Sequence, residues 1–139
     1  MFPSRVLNRL PDWPERLATF IEARRTMPFR WGQNDCCLLA ADAVEAITGH
    51  DLAAPWRGTY ATEAEAETLL ASLGGMEALV QSVGLHSVRS AYAQRGDVAL
   101  VEVGNTRALG VVLGTTVAVP GPDGLNFAPI GTAKATWAV

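Results

Sequence analysis

The hydrophobic pattern changes period once along this chain of 139 residues, and that change constrains the fold more than any other feature. Up to about residue 83 the apolar residues recur every three or four positions, the spacing of one helix face. From residue 97 they come in short runs, at 97–103, 109–113, 116–119 and 125–128, separated by Gly, Asn and Pro, with 135–139 as a last run. Helices followed by strands predict an α+β domain, with N-terminal helices packed on a C-terminal antiparallel β-sheet. The length suits one core, so a single domain is expected over 1–139: an N-terminal arm at 1–11, a helical part at 12–85 and a β part at 86–139.

Four helices are expected. The first covers 12–25, with Asp12 as cap, Pro14 in the first turn, Trp13, Leu17, Phe20 and Ile21 on one face, and Met27-Pro28 ending it. The second covers 35–48, capped by Asp35 and stopped by Gly49. Its alanines make it slim enough to pack closely in the middle of the domain. The third starts at Thr62, where Glu65 completes a capping box, and buries Leu69, Leu70 and Leu73 before Gly74-Gly75. The fourth covers 76–83.

Composition removes several classes. With 49% hydrophobic and 18% charged residues the chain is neither disordered nor a coiled coil. A net charge of −3 leaves no basic stripe to neutralise phosphates, so no nucleic-acid partner is expected. Arg24-Arg25, the one obvious basic pair, reads as a solvated helix end. No run approaches the ~18 apolar residues of a membrane span. Met1-Phe2-Pro3-Ser4-Arg5 opens no signal peptide, which implies a protein of the cytoplasm or one carried in a phage particle. The cysteines, Cys36 and Cys37, are adjacent; on a helix they point about 100° apart, so both are expected as thiols. No CxxC or Cys/His cluster suggests zinc, and no cofactor is expected.

Two segments carry chemistry. Phe29-Arg30-Trp31-Gly32-Gln33-Asn34-Asp35-Cys36-Cys37 is a Trp-Gly turn leading to an Asp-Cys pair at a helix start. A thiol there feels the positive end of the helix dipole, which lowers its pKa, while Asp35 partly offsets this. Without further partners, Asp35 is simply a cap and the cysteines small core hydrophobes. The second segment is Arg95-Gly96-Asp97-Val98-Ala99-Leu100-Val101, followed by Ala108-Leu109-Gly110-Val111-Val112-Leu113-Gly114.

In order and spacing the two resemble the NlpC-type, papain-like cysteine hydrolases of the cell wall. These carry a W-G turn, then D-C-S-G-L at the central helix, G-D-L-V-F on the first core strand and H-V-G-I-Y-L-G on the next. The resemblance spans 29–139 and implies the papain-like NlpC-type fold. It places the nucleophile on Cys36, with Asp35 capping the helix beside it. It places the histidine on Ala108 and the third polar residue near Ala118, so two of three catalytic positions are apolar. An ordinary thiol of pKa about 8.5 is only a few per cent thiolate at neutral pH. A positioned base contributes roughly 10²–10⁴ in rate and must later protonate the leaving amine.

Of the other candidate bases, His50 lies 14 residues past Cys36, about 20 Å along the same helix at ~1.5 Å per residue, and is not expected to reach it. His86 follows the fourth helix in an expected surface loop, and Asp97 and Glu102 are the acids on nearby strands. Two functions follow. One is a non-catalytic binding or structural module on a hydrolase scaffold. The sequence is similar to small proteins of phage and prophage tail gene clusters, which implies a tail-tip or tail-assembly component with other tail proteins, and also peptidoglycan, as partners. Trp31, Trp56 and Tyr60 in expected loops suit that role. The other is an active cysteine peptidase or amidase on peptidoglycan peptides, with Cys36 as nucleophile.

Overall fold

The computed structural model describes residues 7–139; the first half of the expected arm, with the stretch read for a signal peptide, lies outside them. Four helices precede six strands: α1 (Trp13–Arg24), α2 (Cys36–Thr48), α3 (Glu63–Leu73), α4 (Met76–Ser82), β1 (His86–Val88), β2 (Val98–Val103), β3 (Thr106–Val112), β4 (Thr116–Gly121), β5 (Gly124–Pro129) and β6 (Ala133–Ala138). The strands form one sheet in the order β1-β6-β2-β3-β4-β5, and every neighbouring pair is antiparallel. The α+β class expected from the change of period is the class observed.

The central helix, α2, forms as its residues dictate. Asp35 accepts the Leu38 N–H at 3.0 Å, and Ala40, Ala43, Val44 and Ile47 are buried. Slim alanines let α2 lie close on the helix-facing side of the sheet, where Val98, Leu100, Leu109, Val111 and Trp137 complete the main core. The opposite sheet face carries a second cluster of Ala99, Val101, Val112, Val117 and Ala128. Gly110 sits on that face because a β-carbon there would stand 2.4 Å from the Ala118 carbonyl oxygen.

Several expectations change. Asp12 makes no capping bond; its carboxylate is taken by Arg16, one turn on, at 2.7 Å. Arg24 is not a solvated helix end: it pairs with Asp42 of α2 and donates to Asn34 Oδ1 at 3.1 Å. The cap of α3 is the expected one, Thr62 accepting the Glu65 N–H, but the return bond of the box comes from one residue earlier, Glu65 accepting from the Ala61 N–H. His86 lies on an edge strand rather than in a loop, opposite Ala138 of β6.

The part of the arm that is described is tied down. Leu10 N–H donates to the Ile47 carbonyl at 2.8 Å. Arg9 stacks over Trp13 and its guanidinium reaches Asp97 at 2.8 Å. Asp97 is fully buried; it also accepts from the Val139 N–H at 3.0 Å and the Gln94 N–H at 2.8 Å. The Gly-Asp pair before β2 is thereby a knot joining the arm, the sheet and the C-terminus, on residues remote from α2's first turn.

Candidate functional site

The approach to α2 is held by side chains that bond back to their own loop. Asn34, almost fully buried, donates to the carbonyls of Met27 and Pro28 at 3.2 and 3.0 Å. Gly32 adopts a positive φ of 76°, and a β-carbon on it would meet the Tyr60 carbonyl oxygen at 2.4 Å. Its N–H donates to Asp35 Oδ2 at 2.9 Å, and the Tyr60 hydroxyl donates to the same oxygen at 2.6 Å. With the Leu38 N–H on its other oxygen, the buried Asp35 carboxylate accepts three hydrogen bonds. Burial, followed by the bond to Asp35, pushes the Tyr60 phenol above its ordinary range. Phe29 meets Trp31 edge to face at 4.7 Å, and Phe29 N–H bonds the Gly121 carbonyl, fixing this wall to the end of β4.

Cys36 is the first residue of α2, and it is half-buried, as is Cys37. The Cys37 thiol beside it, and after it the backbone N–H groups of Leu109 and Cys37, favour the ionised form of Cys36. Together they hold the Cys36 thiol below its ordinary pKa, against burial and the Asp35 charge, which push it up. Cys37 is driven the other way by the Cys36 thiol beside it, and burial adds to the effect. Cys36 is thus a thiol whose pKa its neighbours lower. A thiolate stabilised in this way is also a weaker nucleophile.

The remaining candidates are not gathered at the sulfur. Ala108 stands at the rim of the cleft, but its side chain packs with the far-face cluster, opposite Val101. The residue of β3 whose backbone meets Cys36 is its neighbour, Leu109. Ala118 is buried on β4, opposite Val111. His50 lies beyond the far end of the 13-residue α2, about 20 Å away at ~1.5 Å per residue. His86 is on β1, three strands from β3, or about 14 Å at ~4.8 Å per strand. Asp97 is engaged with Arg9, and Glu102 faces Arg107 at 3.5 Å.

A family model described as "Domain of unknown function (DUF6950)" matches residues 8–139, which hold every residue of this site. The chain belongs to that family. No curated protein matches it. The match takes in α1 through β6 and so the whole of the site.

Cys36 and Cys37 open onto a cleft of about 850 Å³. It runs from Phe29, Trp31 and Tyr60 between α2 and the α3–α4 pair, and reaches Arg107 at the β2–β3 hairpin. Leu69, Leu70 and Leu73, expected to be buried, are only half-buried and line this space. A sealed void of that size would cost about 20 kcal/mol at ~24 cal/mol per Å³, more than the ~5–15 kcal/mol that hold a domain together. The cleft is tolerable only because it is open to solvent or an occupant. The sequence pattern identifies α3's apolar face but holds no sign that the helix stands away from α2. Nor does it pair Tyr60 with Asp35, 25 residues earlier.

Among the described residues no cluster of three His, Cys, Asp or Glu could hold a metal ion. Among the same residues, no helix is long and apolar enough to cross a membrane.

Proposed function

We propose that this chain is a non-catalytic binding module on a cysteine-hydrolase-like scaffold, acting as a component or assembly factor of a phage or prophage tail, in the particle or in the host cytoplasm during assembly. The observation that carries the first half is the surroundings of the Cys36 sulfur. Beside it stand Cys37 and backbone N–H groups, the described lining of the cleft contains no histidine, and the adjacent carboxylate, Asp35, accepts from Gly32, Leu38 and Tyr60. Peptide hydrolysis needs a group that takes the thiol proton and returns it to the leaving amine. Cys37 and the backbone N–H groups cannot do both, and Asp35 is held as an acceptor by three donors. The tail assignment is supported by the resemblance of the sequence to proteins of tail gene clusters.

The experiment is complementation. Phage or prophage lacking the chain should regain full particle titre with Cys36→Ala, and tail proteins should co-purify with that variant as with wild type. A collapse of titre with Cys36→Ala, with the protein still folded, would remove the module reading.

One observation favours the alternative of an active cysteine peptidase or amidase on peptidoglycan peptides. The Cys36 thiol is held below its ordinary range by donated hydrogen bonds, as a nucleophile requires. In that reading the base comes from a partner chain, and turnover appears only in the assembled particle.

A further inference from the structure

We infer that the cleft between α2 and the α3–α4 pair is the docking groove for a basic amphipathic helix of a partner protein, its apolar face on the leucines of α3 and its lysines or arginines over Glu63 and Glu67. The inference rests on the reading of the chain as a binding module and names the kind of partner that module takes. The wall open to an occupant is α3. Of its 11 residues only Ala66 is buried. Leu69, Leu70 and Leu73 are half-buried, line the cleft and belong to none of the hydrophobic clusters formed by the described residues. Trp31, Tyr60 and Met76, also half-buried, line the same space. An occupant with an apolar face removes this surface from water.

Charge selects the occupant. Asp35, Glu63 and Glu67 line the cleft, and the one cation of its described lining, Arg107, already faces Glu77 at 3.7 Å and Glu102 at 3.5 Å. Five carboxylates thus stand against one guanidinium, so the groove repels an anion and attracts a cation. Glu63 and Glu67 are exposed, one turn apart on α3, and have no ion-pair partner among the described residues. Arg57, on the loop before α3, is held by Asp42 and Asp51.

The backbone selects the form. An extended segment needs a free sheet edge to pair its N–H and C=O groups. The edges of this sheet are β1 and β5, and neither lines the cleft. A helix satisfies its own backbone and presents apolar residues every three or four positions, the spacing of the stripe it meets. At ~1.5 Å per residue α3 is about 16 Å long, which matches about three turns of a partner.

The test is fluorescence anisotropy of the full chain with a labelled peptide of about 15 residues, leucine on one helical face and lysine on the other. Saturable one-to-one binding in the micromolar range is expected, weakening as salt is raised. The same peptide with glutamate for lysine should not bind. Glu63→Lys with Glu67→Lys should weaken binding about tenfold. Leu70→Ser with Leu73→Ser, at half-buried positions where circular dichroism reports folding, should abolish it. Glu15→Lys with Glu22→Lys, the same charge change on exposed residues of α1, should leave it unchanged. Equal binding of the two peptides, equal loss with the α1 and α3 charge changes, or binding indifferent to the leucine variant would each overturn the inference. Displacement of the peptide by dodecylammonium, at the concentration at which unlabelled peptide displaces it, would give the groove to a small cationic amphiphile. A dimer of the chain alone in sedimentation, lost with the leucine variant, would give it to a second copy. Either outcome overturns the partner helix. Cleavage is read in the same samples by mass spectrometry: no binding and no cleavage makes the partner class wrong and leaves the module reading in place, whereas Cys36-dependent cleavage removes the module reading itself.

Discussion

Replacing Asp97 by Ala should be among the most damaging single changes available outside the hydrophobic core. The carboxylate is wholly buried, accepts from Arg9 at 2.8 Å, from the Val139 N–H at 3.0 Å and from the Gln94 N–H at 2.8 Å, and joins three distant parts of the chain. Removing one partner of a buried ion pair costs about 3–5 kcal/mol, because the other charge stays behind. Arg9 retains bonds to the carbonyls of Arg95 and Val139, which places the expectation toward the lower end. With an unfolding entropy of about 2.1 cal/mol/K per residue, a chain of 139 residues loses about 1 °C of Tm for every ~0.3 kcal/mol. The expected fall is therefore about 10–17 °C, read by calorimetry at neutral pH. Asp97→Asn, which keeps the shape and part of the bonding, should lose less, and Arg9→Ala combined with Asp97→Ala should lose less than the sum of the two. A fall within about 3 °C, the size of a ~1 kcal/mol surface change, would refute the knot as a stabilising feature.

Two further predictions concern the thiol and the phenol beside it. Iodoacetamide followed by mass spectrometry should label Cys36 and spare Cys37, with Cys36 reacting at a pH below the ~8.5 of an ordinary thiol; equal labelling of the two would contradict the opposite directions of the two shifts. For Tyr60 the folded pKa is raised, so its contribution to stability is complete below the unfolded value of about 10 and declines as pH rises above it. Tyr60→Phe should lower stability by about 1–3 kcal/mol at neutral pH, and the gap to wild type should close as pH is taken above 10 in chemical denaturation; a gap that is constant with pH would contradict the Tyr60–Asp35 bond.

What is legible in the sequence is whatever is decided locally. The cap at Asp35, the alanine spacing of α2 and the stop at Gly49 act within a few residues, so the residues of the central helix place it by themselves. The Gly-Asn and Pro-Asp turns likewise bound β2 to β5, although β3 begins three residues earlier than its apolar run, because Glu102–Arg107 and Val103–Thr106 continue the ladder with polar residues. β1 leaves no trace in the pattern, since three residues show no period, and it is held by pairing to the other end of the chain. Asp12 has the residue type and place of a cap without the role, because Arg16, at a spacing of four, competes for the carboxylate that a cap would use. The site is half legible. Cys36 and its position at the helix start follow from the segment itself, but the direction of Ala108 depends on the register of β3, and the Leu109 N–H reaches the sulfur only through packing of that strand on α2. The leucines of α3 show the general limit: periodicity tells which face of a helix is apolar and not what, if anything, lies against it.

The central proposal is that no group among the described residues completes a hydrolytic cycle with Cys36, and the most direct test is release of peptide fragments from peptidoglycan by the purified chain beside its Cys36→Ala variant. The account predicts that the two are indistinguishable from the uncatalysed background, and that Ala108→His stays there as well, because the side chain at 108 packs on the far face of the sheet. Turnover by wild type that Cys36→Ala abolishes would contradict the account and make the chain an enzyme.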